Sequence, residues 1–257
     1  MMKFARFKHN LTGTEAAAFV TEEGLHVIQG DIFGSWTEAG AIFPFSEVTL
    51  LPPLRPNSII GIGANYIAAG QTRPARLPEI PLFFHKPISS LNGPNDEILI
   101  PRGLDKLNFE CELAVVIGKQ GKYIPVEKAQ EHIFGYTIAN DVSAVQLTHP
   151  GGHWMLVKSG DTFTPLGPYI ETELDPYRLT IQSKLNSELK QNSPTERIIY
   201  PIAGIISYLS QLLTLQPGDV ILTGTPEGAG EMRAGDTIEC SIAGIGSLSN
   251  RVIQSLS

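Results

Sequence analysis

The chain has 257 residues, of which 42% are hydrophobic and 18% charged, with a formal net charge of -7. That balance describes a folded globular protein, one large domain or a large plus a small one, and excludes the disordered and collagen-like classes. The acidic excess and the lack of any long Lys/Arg run argue against nucleic acid and leave a small molecule as the expected partner.

Residues 1–54 read as a small β-rich N-terminal subdomain, with strand-like pieces in "MKFARFK", "AAAFVTEEGLHVI" and "DIFGSW" separated by turn residues. The start, "MMKFARFKHN", has no apolar core of an export signal, and the longest apolar stretch, "IAGIISYLSQLL", is too short to span a bilayer, so a cytoplasmic protein is expected. The proline-rich "LPPLRPN" marks a boundary, after which residues 55–257 form the second unit. Strands are expected there near 58–62, 81–86, 109–117, 134–140, 167–171, 178–185, 188–191, 219–223, 237–242 and 247–253. Helical pattern is confined to 126–133 and to the stretch from Pro201 to about Leu213, where Pro201 suits a first helical turn. The two cysteines, Cys111 and Cys240, lie in apolar runs without metal-ligand spacing and read as small buried side chains, which fits a reducing compartment. The fold class that follows is mainly β or α+β.

One of these strands contains a contradiction. In "NFECELAVVIG" the residues Phe109, Cys111, Leu113, Val115 and Ile117 form an apolar row, while Glu110 and Glu112 share the other side with Ala114 and Val116. Like charges at that spacing repel and resist burial unless a cation or protons intervene. A third acid, Asp141, ends the alternating run "GYTIANDVS", and strand ends are where side chains emerge into clefts. Three carboxylates from two strands make a half-shell of hard oxygen ligands suited to Mg²⁺ or Mn²⁺. Taken alone, Glu110 and Glu112 also fit a solvated strand face.

The blocks "FFHKPISSLNGPND", "FECELAVVIGKQGKYI", "GYTIANDVSA", "KSGDTFTPLGPYI", "YLSQLLTLQPGDVILTGTPEGAG" and "GDTIECSIAGIGSLSNRV", in this order, resemble the fumarylacetoacetate hydrolase family over residues 58–253. Within it the nearest resemblance is to the bacterial 2-hydroxyhepta-2,4-diene-1,7-dioate isomerase and acylpyruvase-like branch. The resemblance implies a rolled β-sheet core with few helices, a divalent metal usually taken as Mg²⁺, and a 2-oxo acid or enol substrate. It implies metal ligation by Glu110, Glu112 and Asp141, a substrate-side ammonium at Lys158, and contact to substrate oxygen from Thr225 and the neighbouring Gly224. Relatives are commonly homodimers, and one is expected here.

Two departures stand out. In "GIGANYIAAGQTR" the family's histidine and acid are replaced by Ala69 and Thr72. In "NDVSAVQLT" its arginine and glutamine are replaced by Val145 and Thr148, which removes a cationic fork from the distal pocket. "THPGGHW" offers His149 and His153 as replacement bases, each alternatively an exposed or packing histidine, and "QTRPAR" places Arg73 and Arg76 in the lid region, facing either an anionic substrate or solvent. Three readings follow: isomerisation or decarboxylation of a 2-oxo acid through an enolate, C–C hydrolysis of an acylpyruvate or fumarylpyruvate-type 2,4-dioxo acid, or a non-catalytic binding relative. The first needs no activated water, so the change at Ala69 harms it least.

Overall fold

The computed structural model describes residues 2–255. Its backbone is mostly strand with few helices, and its sheets are open rather than closed into barrels. The larger sheet runs, in spatial order, through Trp36–Phe43, Leu25–Gly30, Glu15–Val20, Lys3–His9, Thr164–Glu171, Ile133–Asn140, Cys111–Ile117, Val220–Leu222, Ile59–Ile62 and Phe83–Lys86. A second sheet follows the order Glu188–Pro194, Thr180–Leu185, Thr237–Ile242, Gly246–Gln254 and Ile98–Ile100. The N-terminal strands continue the larger sheet. Lys3 and Phe4 pair with Glu171 and Ile170, while Arg6 to His9 pair on the same edge with Leu51 to Val48.

The central strand Cys111–Ile117 is buried along its whole length because both of its faces are covered. Leu113, Val115 and Ile117 pack in one cluster with Ile181, Ile238 and Ile242 of the second sheet and with Ile202, Ile205, Ile206 and Leu209 of the helix Ile202–Leu212. Ala114 and Val116 point the other way, into a cluster that also holds Phe4 and Ile28. Lys86 lies on a strand four places from Ile133–Asn140 in the sheet order, about 19 Å away in a flat sheet, yet it reaches Asp141 just beyond the end of that strand, so the sheet curls. Each fully buried aliphatic side chain contributes roughly 1.5–3 kcal/mol to holding this roll together. A solvated face for Glu110 and Glu112 is therefore ruled out, since Ala114 and Val116 beside them are wholly buried.

Several sequence expectations shift. "DIFGSW" is a turn rather than a strand: Asp31 accepts the Phe33 amide through its side chain and the Gly34 amide through its carbonyl, the bonding that favours Asp in turns. The expected strand over 109–117 breaks at Glu110, between Leu107–Phe109, which pairs with Gly230–Met232, and Cys111–Ile117. The helical pattern at 126–133 forms a 3₁₀ segment, Val126–His132, and Pro201 takes extended backbone as the N-cap instead of entering the first turn. The Gly-rich approach to Lys158 ends in a five-residue helix, Trp154–Lys158, that the sequence pattern did not announce.

Candidate active site

The break at Glu110 sets up the site. Cys111 pairs with Asn140 and Glu112 with Ala139, and the next step of this antiparallel register sets Glu110 opposite Asp141. Opposed residues on antiparallel strands point to the same face, and so do residues two apart on one strand, so Glu110, Glu112 and Asp141 must converge. The local bonds hold them there: the Asp141 amide donates to the Glu110 carbonyl at 2.9 Å, and the Glu110 amide donates to Asn140 Oδ1 at 2.9 Å. One oxygen from each of the three carboxyls lies within 4.8 Å of the others.

Two buried lysines face this cluster. Lys158 Nζ donates to Glu110 Oε1 at 2.7 Å and to Asp141 Oδ2 at 2.6 Å, and lies 5.3 Å from the centre of the Phe84 ring. Lys86 Nζ donates to Asp141 Oδ1 at 2.6 Å and to the Lys158 carbonyl at 2.8 Å. Ser143 Oγ donates to Glu110 Oε1, and the Gly224 amide donates to Glu112 Oε2 at 2.7 Å. That amide is aimed by a backbone only glycine tolerates: φ is +99°, and a Cβ would sit 2.7 Å from the Asn65 Cβ. Glu110 Oε2 and Glu112 Oε1 accept no hydrogen bond among the described residues.

The electrostatics follow from this wiring. Burial pushes the Glu112 carboxyl well above the ordinary carboxylate range, and the Asp141 and Glu110 charges add to the shift. Burial raises Glu110 as well, with Lys158 opposing. For Asp141 burial also acts upward, but Lys86 and Lys158 outweigh it and hold the group below its ordinary value. Lys158 is driven down by burial and more strongly up by Asp141 and Glu110, so it stays an ammonium; at Lys86 burial prevails and lowers the value. Three acids against two ammonium groups leave a formal charge of -1, with two carboxylate oxygens unbonded. This donor set, all hard oxygen with a formal surplus of negative charge, fits a divalent cation such as Mg²⁺ or Mn²⁺.

The cluster opens into a cavity of about 360 Å³, at the lower end of small-molecule sites. Glu110, Glu112, Asp141, Lys158, His149, His153 and Thr225 all line it, as do Val145 and Thr148. The rings of His149 and His153 lie 5.3 Å apart. Thr225 Oγ1 donates to the Cys111 carbonyl and accepts from Gln191 Nε2, so part of its capacity is already used. Gly224 is not among the residues lining the cavity, and its amide orients Glu112. Arg73 does not line the cavity either: its guanidinium donates to the carbonyls of Ile199 and Glu196, which pins its own segment there. Ala69 likewise turns its amide to Glu227 Oε2. His85 meets Ser58 on the opposite side of its strand from Lys86.

Sequence reading gave Lys86 a structural part at most, and passed over Ser143 and the Phe84–Trp154 stack. A signal for Lys86 existed, because in "FFHK" it shares a face with Phe84, and a lysine on the buried face of a strand requires a partner. Nothing local marked Trp154, whose ring lies parallel to Phe84 at 5.4 Å and 8°.

The rolled sheet and its carboxylate–lysine cluster define a β-rich protein with an acidic centre able to hold a metal ion. The profile described as fumarylacetoacetate (FAA) hydrolase C-terminal matches residues 58–253, and the chain belongs to that family; a second profile, Rv2993c-like N-terminal, matches residues 2–53. The chain is 40% identical over 225 residues to the mitochondrial oxaloacetate tautomerase FAHD2B of Bos taurus, covering 82% of this chain and 72% of that protein. Its fold superposes on 5-carboxymethyl-2-hydroxymuconate delta-isomerase from Mycobacterium smegmatis with a TM-score of 0.92 at 38% identity, covering 99% of this chain and 100% of the other. Maleylpyruvate hydrolase from Sphingobium sp. SYK-6, in complex with manganese(II) and pyruvate, is similar at a TM-score of 0.81 and 29% identity, with 99% and 100% covered. These relatives are enzymes of more than one reaction type. Among the described residues no helix is long and apolar enough to cross a membrane.

Proposed function

We propose that this chain is a divalent-metal-dependent enzyme that moves a proton on a small 2-oxo acid or its enol, by isomerisation or decarboxylation through an enolate. The observation that carries the reading is the convergence of Glu110, Glu112 and Asp141 with the Lys158 ammonium on one wall of the cavity. A cation held by the three carboxylates, Mg²⁺ or Mn²⁺, would polarise the oxygens of a 2-oxo acid. Lys158, kept charged by its two acids, stabilises the negative charge that grows as the enolate forms. Lys86 and Ser143 hold Asp141 and Glu110 in place, and the Gly224 amide does the same for Glu112. His149 and His153 line the cavity and are the groups assigned to take or return the carbon-bound proton.

The same two histidines favour a second reading, C–C hydrolysis, in which one of them activates water in the role that Ala69 cannot fill. The two are separated by proton NMR in D₂O with Mg²⁺ against a metal-only control. Faster deuterium exchange at C3 of phenylpyruvate, with an acylpyruvate left intact, is the expected result; cleavage of the acylpyruvate to pyruvate and an acid would replace this reading with the hydrolytic one. The reading includes a homodimer, which light scattering checks.

A further inference from the structure

Beyond its acids and Lys158, the cavity wall is mostly apolar: Ile62, Phe84, Val145, Trp154 and Val157. Phe84 and Trp154 stack face to face, and Trp154 keeps 39% of its surface exposed, so an aromatic face remains open. Among the described residues no arginine lines the cavity, and the one lysine that does already holds two carboxylates at 2.7 and 2.6 Å. Arg73, in the segment that follows the lining residues Ile62 to Ala64, is tied to two carbonyls. His149 accepts the Gly151 amide at Nδ1, so that atom is not free to donate to a ligand, and His153 is the other imidazole in the wall. A second carboxylate seated in this part of the cavity would lose its hydration with no fixed cation to meet it, which is strongly unfavourable.

We propose that the substrate is a 2-oxo acid, or its enol, whose end remote from the carboxyl is uncharged and apolar, lying against Phe84 and Trp154, and that Val145 discriminates against dicarboxylic analogues. This rests on the 2-oxo acid reading above and adds the chemistry of the tail. Glycine at position 61 lets the Phe84 ring lie close against its own strand neighbour, since a Cβ there would meet the ring at 2.3 Å.

The test is calorimetric titration of the full chain in Mn²⁺ with oxalate, phenylpyruvate and 2-oxoglutarate. Oxalate has no tail and reports the metal and 2-oxo acid end alone. Phenylpyruvate should bind at least about tenfold tighter than 2-oxoglutarate, a modest demand for exchanging a charged tail for an apolar ring in such a wall. Val145→Arg should shrink that ratio about tenfold or invert it, and Trp154→Ala should weaken phenylpyruvate about tenfold more than oxalate. Oxalate binding with 2-oxoglutarate equal to or tighter than phenylpyruvate overturns the tail assignment and leaves the 2-oxo acid reading standing. No Mn²⁺-dependent oxalate binding would sink both.

Discussion

Replacing Glu112 by Gln should make the metal-free protein more stable and the metal-loaded protein no better. Glutamine keeps the shape and retains an oxygen for the Gly224 amide at 2.7 Å, while removing the charge that burial, Asp141 and Glu110 all oppose. The sign follows from linkage. An acid raised in the fold holds its proton where the unfolded chain has lost it, so stability falls as pH rises above the ordinary value of 4.5. At ~1.4 kcal/mol per pH unit, the interval from 4.5 to 7 bounds the cost of this shift at about 3–4 kcal/mol at pH 7. Glu112→Gln should therefore gain about 1–3 kcal/mol at pH 7, roughly 2–10 °C in Tm, and almost nothing at pH 4.5. Thermal melts in EDTA at the two pH values read this directly, and melts with added Mg²⁺ or Mn²⁺ read the ligand role. A variant that melts below wild type at pH 7 in EDTA would show that Glu112 is held ionised by its surroundings. One that keeps the full metal response would remove Glu112 from the centre.

Lys158→Met should lower kcat by several orders of magnitude while the metal-dependent rise in Tm is kept or enlarged, because the ammonium competes with a cation for Glu110 and Asp141; steady-state kinetics paired with melts check both halves. Lys86→Met strips one of two cations from a fully buried Asp141 and orphans the Lys158 carbonyl, and should cost about 3–5 kcal/mol in urea unfolding. The Tm increment from Mg²⁺ should grow with pH from 5 to 8, since protons compete with metal at the raised Glu110 and Glu112; an increment that is flat in pH would contradict both shifts. Asp141 works the other way: its lowered value adds stability above pH 3.8 that is lost only as pH falls through the lower folded value, so it should not contribute to that slope.

Much of this was legible in the chain. Apolar runs located the strands Ile59–Ile62, Ile133–Asn140, Thr237–Ile242 and Gly246–Gln254 to within a residue or so, and a half-buried one such as Thr237–Ile242 also shows the period of two. The misplaced strand at "DIFGSW" shows the limit: apolar Ile32 and Phe33 gave a strand-like composition, but the Asp31 side chain supplied a local bond that closes a turn. The short strands Leu91–Asn92, Ile98–Ile100 and Gly230–Met232 escaped notice because two or three residues carry too little period to read.

What the sequence determined by itself was chemical: two glutamates on an apolar strand and an aspartate at the end of another demand a compensating cation wherever they are buried, and the ordered motifs carry the family. What only the tertiary structure decided was which groups answer that demand. Lys86 lies 55 residues from Asp141, at the far edge of the sheet order, and reaches it only because the sheet rolls. The Lys158 ammonium arrives on a short helix held against Phe84, and the Gly224 amide is aimed at Glu112. Side-chain period is a property of neighbours along the chain, whereas the curl of a sheet sums small twists over many strands, and no local pattern reports that sum.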